Sequence, residues 1–294
     1  MFDPTESARV FGVAPGVDFP LALVTGLRQR LNGQPPEAMA RVDLIVNTHR
    51  MARRLRAIFQ AGPPGFLPRI RLLTGLDTLV PGIDLPAATP PLRRRLALIQ
   101  LVSRLIETDR SIAPRASLYG LSDSLAGLID EMQGEGVSAE TIRDLDVSDQ
   151  SGHWERAKQF LDIAQGYLAQ TMAQPDTEAR RRQLVTLIAE SWQAAPPQNP
   201  VIVAGSTGSR GTTSLLMQAV AQLPQGAVIL PGFDFDMPTA VWAALDTELL
   251  SEDHPQYRFR HFMRALDLPR EKVTCWAGMT APSPARSHKS TETT

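Results

Sequence analysis

The stretch Pro200-Val-Ile-Val-Ala-Gly-Ser-Thr-Gly-Ser-Arg-Gly211 decides the fold class. Pro200–Ala204 is an unbroken apolar run of strand length. Without polar alternation it reads as a strand buried on both faces, the kind found in parallel sheets covered by helices. A glycine-rich turn follows at Gly205–Gly211. Leu215, Leu216, Ala219, Val220 and Leu223 then recur at helical spacing. Strand, turn and helix form the repeating unit of an α/β protein.

Working outward, the same unit recurs on both sides. Downstream, Ala227–Leu230 is a second buried strand, with helical patterns at Thr239–Leu250 and Tyr257–Leu266 and a short strand at Val273–Trp276. Upstream, Arg9–Val13 reads as a strand running into the turn Gly12–Gly16, and Phe19, Leu23, Val24 and Leu27 mark a helix. Val42–Val46 is another strand, Arg50–Gln60 a helix and Phe66–Leu73 a further strand.

Between Leu92 and Trp192 only helical stripes occur, broken at Gly134-Glu-Gly136 and at Ser148–Gly152. The stripes are Leu92/Leu96/Ile99/Val102/Ile106, Leu125/Leu128/Ile129/Met132, Trp154/Phe160/Leu161/Ala164/Leu168 and Leu184/Leu187/Ile188/Trp192. Such stripes pack against other helices. The predicted architecture is an α/β parallel sheet interrupted by an all-helical insertion and then resumed, a layout that resembles superfamily 1 helicases. Its expected parts are 1–90, 91–195 and 196–277, with a disordered polar tail at 278–294.

Composition narrows function by exclusion. The 294 residues are 43% apolar and 21% charged, with a net charge of −1, so global charge argues for neither nucleic acid nor membrane. The single cysteine, Cys275, excludes an internal disulfide and any multi-cysteine metal site. No apolar run reaches the roughly 18–20 residues of a membrane span, and Met1-Phe-Asp-Pro-Thr-Glu lacks the form of a secretory signal. The expected location is cytoplasmic.

Three stretches invite a functional reading. Gly12-Val-Ala-Pro-Gly16-Val-Asp18-Phe19 resembles a degenerate P-loop: its glycines are one residue too close, and Val17-Asp18 stands where Lys-Ser/Thr belongs. Asp18 would face phosphate with a carboxylate, reversing the electrostatics of such a loop, while serving well as a helix N-cap. Gly205, Ser206, Thr207 and Gly208 open a G-x-x-G-x-x-G turn. It resembles the dinucleotide fingerprint of short-chain dehydrogenases, so a nucleotide-dependent oxidoreductase is the alternative function. Against it, no Tyr-x-x-x-Lys pair exists and little α/β chain follows Gly211; a structural turn is the other reading.

The third stretch is basic. Seven arginines and one acid, Asp43, lie between Arg41 and Arg71. Arg50, Arg53 and Arg54 share one helix face, opposite Met51, Leu55, Ile58 and Phe59. That face is either merely solvated or, with Thr48 at the strand end, a phosphate-contacting surface. Asp234–Asp253, with six acids and no base, is instead a candidate partner surface. The five histidines show no ligand spacing, so neither metal nor cofactor is expected.

Several segments together resemble one family, the alphaproteobacterial type of the double-strand break repair protein AddB. They are Val13-Ala-Pro-Gly-Val-Asp-Phe19, Asn47-Thr-His-Arg-Met-Ala-Arg-Arg-Leu-Arg56, Pro68-Arg-Ile-Arg71 and Pro91-Leu-Arg-Arg-Arg-Leu96. Asp130-Glu-Met-Gln-Gly-Glu-Gly-Val137, Gly152-His-Trp154, Val203–Ser209, Leu223–Gly232 and Glu252–Tyr257 continue the likeness in order. The resemblance implies an inactivated helicase-like module that pairs with an AddA-type helicase–nuclease subunit and lines a path for single-stranded DNA. Family members are longer and carry a nuclease domain with a cysteine-bound iron–sulfur cluster. This chain has neither its carboxylates nor its cysteines, so the expectation is a truncated product with no chemistry of its own.

Overall fold

The computed structural model describes residues 1–3, 5, 7–108, 113–138, 141, 163, 166, 167, 174–246 and 251–278. Six strands form one all-parallel sheet: β1 (Val10–Val13), β2 (Asp43–Val46), β3 (Arg69–Leu72), β4 (Val201–Ala204), β5 (Gly226–Pro231) and β6 (Thr274–Cys275), in the order β3-β2-β4-β5-β1-β6. The helices are α1 (Phe19–Arg30), α2 (His49–Gln60), α3 (Pro91–Thr108), α4 (Leu118–Glu135), α5 (Thr177–Ala194), α6 (Gly211–Gln222), α7 (Thr239–Ala244) and α8 (Tyr257–Ala265). The readings at Ser148–Gly152, on the Trp154 stripe, at 247–250 and on the tail beyond Gly278 fall outside the described residues. Among the described residues no helix is long and apolar enough to cross a membrane.

The described residues divide into two compact units: those within 1–73, 196–209 and 217–278 form one, and those within 74–195 and 210–216 the other. The first holds the sheet. Leu44 and Val46 of β2, Ile202 and Ala204 of β4, and Ala227 and Ile229 of β5 join Leu23 and Leu27 of α1 and Leu55 and Phe59 of α2 in a single core. The alternate strand residues Ile45, Val201, Val203, Val228 and Leu230 are also buried but stand outside that cluster. The pleat sends them to the opposite face, so the strands bury both faces. Asp43 interrupts the apolar run of β2 and is nearly buried. It is tolerated because β3, its neighbour, brings Arg71 Nε to 2.7 Å and Arg69 Nη1 to 3.7 Å.

In the second unit the helices among the described residues are α3, α4, α5 and the start of α6, preceded by the irregular segment 74–90. Leu98, Val102 and Ile106 of α3 pack with Leu125 and Ile129 of α4 and with Tyr167. The stripe read from Leu92 is displaced: Leu92 and Leu96 are 68% and 53% exposed, and the buried line starts at Leu98. The helix buries the side that faces α4, and Leu92 and Leu96 lie off that side. Gly136, at φ 74°, ends α4 in the left-handed conformation that glycine adopts without strain.

Candidate functional site

In open parallel sheets ligands enter at the carboxyl ends of strands, where neighbouring connections diverge to opposite faces. The strand order makes two such places. β1 and β2 lead into α1 and α2, which pack together, whereas the connections after β4 and β5 run the other way across the sheet. Crevices are therefore due between β5 and β1 and between β2 and β4.

Side chains occupy both. At β5/β1, a Cβ added to Gly12 would lie 2.8 Å from Phe233 Cβ and 2.8 Å from Phe235 Cζ. The two rings meet edge to face with centroids 5.0 Å apart. Gly12 is thus a glycine because aromatic rings press on the strand. Gly16 turns the loop at φ 79°. Asp18 then caps α1, accepting the Leu21 N–H at 3.1 Å, and its other oxygen receives Arg54 Nη2 at 3.3 Å. The helix terminus where a P-loop would hold phosphate carries its own carboxylate and a paired cation.

At β2/β4, the Asn47 amide donates to Gly205 O at 2.8 Å. Thr48 is spent on capping α2, its hydroxyl accepting the Met51 N–H at 3.1 Å. Gly205 (φ 79°) and Gly208 (φ 67°) turn the chain out of β4, and the Gly208 N–H donates to Ser206 Oγ at 3.3 Å. A Cβ on Gly205 would sit 3.2 Å from Phe19 Cε1. Phe19 and Met51 therefore approach the point where a pyrophosphate would need open backbone. Ser206 is buried and Thr207 exposed. Within the helical unit, the first N–H of α6, from Gly211, donates to Glu135 Oε1 at 2.8 Å, and Thr212 Oγ1 donates to Gly134 O at 3.0 Å. That terminus too is met by an internal carboxylate, which weighs against a dinucleotide there.

The arginine island divides by partner. Asp43 engages Arg69 and Arg71, Glu37 stands 4.0 Å from Arg41, and Asp18 holds Arg54. Arg50, Arg53 and Arg56 are exposed and form no ion pair among the described residues. Arg54, expected to share the phosphate-facing role, is thus tied to the loop before α1, while Arg56 lies on the same exposed arc as Arg50 and Arg53. The acidic stretch is partly internal: Asp246 accepts Arg260 Nε at 2.7 Å and lies 3.5 Å from Arg264, and the Asp234 carboxylate accepts the Asp236 N–H at 2.9 Å. Asp236, Glu252 and Asp253 remain exposed. Among the described residues no group of three His, Cys, Asp or Glu side chains could hold a metal ion.

No protein-family model matches this chain, and no curated protein is significantly similar to it.

One polar cluster escaped the sequence reading. In the helical unit Arg94 reaches Asp130 Oδ1 at 2.9 Å and the fully buried Asp176 Oδ2 at 3.0 Å, and the Tyr167 hydroxyl donates to Asp176 Oδ1 at 3.1 Å. Burial works against the Arg94 charge, but the Asp130 hydrogen bond and the two carboxylates more than offset it, and its pKa is raised. Burial, reinforced by the Asp176 charge and hydrogen bond, pushes the Tyr167 phenol up to about 12. Nothing in Arg93-Arg94-Arg95 distinguishes the central arginine in sequence. Only its register toward α4 does so.

Proposed function

We propose that this chain is a non-catalytic, superfamily 1 helicase-like module of an AddB-type subunit in DNA double-strand break repair, its sheet interrupted by a helical insertion. In this reading it acts as a scaffold for an AddA-type helicase–nuclease partner and lines a DNA path with α2. The observation that carries the DNA role is the exposed face of α2. It presents Arg50, Arg53 and Arg56 without ion-pair partners among the described residues, on a helix with no acidic residue. Unpaired guanidinium groups in a row are suited to phosphate oxygens, which fix position without reading sequence. The non-catalytic role is supported by the Asp18–Arg54 pair at α1 and by Phe19, Phe233 and Phe235 against the two crevices.

The test is anisotropy of labelled oligothymidylate across a salt series. Each lost phosphate contact should flatten the log–log salt slope by about 0.7 for single strands. The Arg50/Arg53/Arg56→Ala variant is expected to lose about two units of slope and most of its affinity. Arg54→Ala should change both far less. Unchanged affinity and slope in the triple variant would remove α2 from the DNA path. A thermal-shift series with ATP–magnesium and with NAD(P) should show no stabilisation; a clear shift with NAD(P) would favour an oxidoreductase instead.

A further inference from the structure

At the edge of the sheet unit opposite the strands' carboxyl ends lies a groove of about 350 Å3. It runs between the end of α1 and the segment leading into β3. Leu31, Met39, Phe59, Phe66 and Leu67 supply its apolar lining, and none of its fourteen lining residues is acidic. Phe66 is 56% exposed and Leu67 40%.

Arg28 is the one charge in that lining. It is half-buried, lies over the Phe59 ring at 5.5 Å from its centroid, and has neither an ion pair nor a hydrogen bond among the described residues. An added Cβ at Gly62 would collide with its guanidinium, so a bare backbone at that position makes room for it. A half-buried guanidinium without a counter-ion leaves its donors open to an incoming anion. The position near the α1 C-terminus favours the charge but satisfies none of the five N–H donors. Beside it, the N–H groups of Gly65, Phe66 and Leu67 find no acceptor among the described residues; they belong to the exposed loop after Pro63-Pro64 that leads into β3.

The geometry points to a docking site for an extended peptide of a partner protein, carrying a carboxylate side chain between apolar residues. The carboxylate pairs with Arg28, the apolar neighbours cover Phe66 and Leu67, and peptide carbonyls accept from exposed backbone N–H groups of the 65–67 loop. This site is separate from α2 and stands whether or not that helix touches DNA.

The probes are a fluorescein-labelled Leu-Asp-Phe-Asp-Leu pentapeptide and its Leu-Asn-Phe-Asn-Leu counterpart, read by anisotropy on the whole chain. The acidic peptide should bind at least about tenfold more tightly than the amide peptide, the loss expected when a charge-assisted pair is removed. Arg28→Gln should abolish that preference. Phe66→Ser, at an exposed position that leaves folding intact, should weaken both peptides, and Arg50/Arg53/Arg56→Ala should change neither. Equal affinity for the two peptides would overturn the proposal, as would a preference that survives in Arg28→Gln. Displacement of the peptide by millimolar inorganic phosphate alone would show a bare anion site instead. A dimer seen by sedimentation equilibrium and dissolved by Phe66→Ser would assign the groove to a second copy.

Discussion

Asp18, Gly205 and Tyr167 show how one position can settle what a loop or core is able to do. Asp18 closes the α1 terminus by accepting from Leu21 and pairing with Arg54; both side chains are about half exposed, so the pair itself adds little stability, and its effect is to fill an anion site. Gly205 combines φ 79° with Phe19 Cε1 3.2 Å from where a Cβ would stand. Gly205→Ala is therefore expected to cost about 1–3 kcal/mol, from the left-handed backbone and the contact together, measured by urea unfolding. Tyr167 holds its proton more tightly in the folded state, with its pKa near 12 against about 10 unfolded. Its contribution is complete below pH 10 and is lost as pH rises toward 12. Denaturation midpoints taken from pH 9 to 12 should fall more steeply for the wild type than for Tyr167→Phe; parallel curves would show that the phenol does not couple to folding.

Among the elements, α2 and α3 contrast instructively. For α2 the arginine and apolar faces separate in sequence as they do in space, because its core face is set by its own periodicity: Ala52, Leu55 and Phe59 are buried and Arg50, Arg53 and Arg56 exposed. For α3 the apolar residues extend beyond the buried line, and the first two, Leu92 and Leu96, lie outside it. Periodicity identifies an apolar arc but not where on that arc a neighbour stops. Leu98→Ala should accordingly cost about 2–5 kcal/mol as a fully buried truncation, whereas Leu96→Ser should stay within about 0.5 kcal/mol. Thermal or chemical melting of the two variants separates them; a comparable loss at Leu96 would mean that its face is covered. The seven-arginine island looked uniform in sequence for a related reason: a guanidinium's partner is decided across strands and loops, as with Asp43 reaching Arg69 and Arg71 from the adjacent strand.

For the whole chain, strand order governs behaviour. β1 and β2 are never neighbours; β5 and β4 stand between them, and both follow residue 200. A fragment of residues 1–73 would hold β1 with no partner strand and β2 paired only to β3, leaving edges open and the Leu23–Leu55 core without Ile202 and Ile229. It should be unfolded by circular dichroism and proton NMR, whereas a cooperatively folded fragment would show that the sheet does not need its late strands. The same order predicts slow folding, since two of its pairings are far apart in sequence: β2 with β4 (Leu44 with Ile202) and β1 with β5 (Val10 with Val228).

The sequence by itself determined the class of the fold: unalternated runs such as Val201–Ala204 can be satisfied only between helices on two faces, and turn glycines and N-cap residues place the element ends within a few positions. It also determined that the loop before Phe19 lacks a P-loop lysine, since no arrangement of this chain supplies one at that place. Tertiary structure alone decided which strands adjoin, which arginines are free, and that Phe19, Phe233 and Phe235 press into the crevices. Those outcomes depend on residues brought together from across a chain of 294. Local propensity and periodicity act within an element, whereas pairing, packing and charge compensation act between elements that only folding makes neighbours.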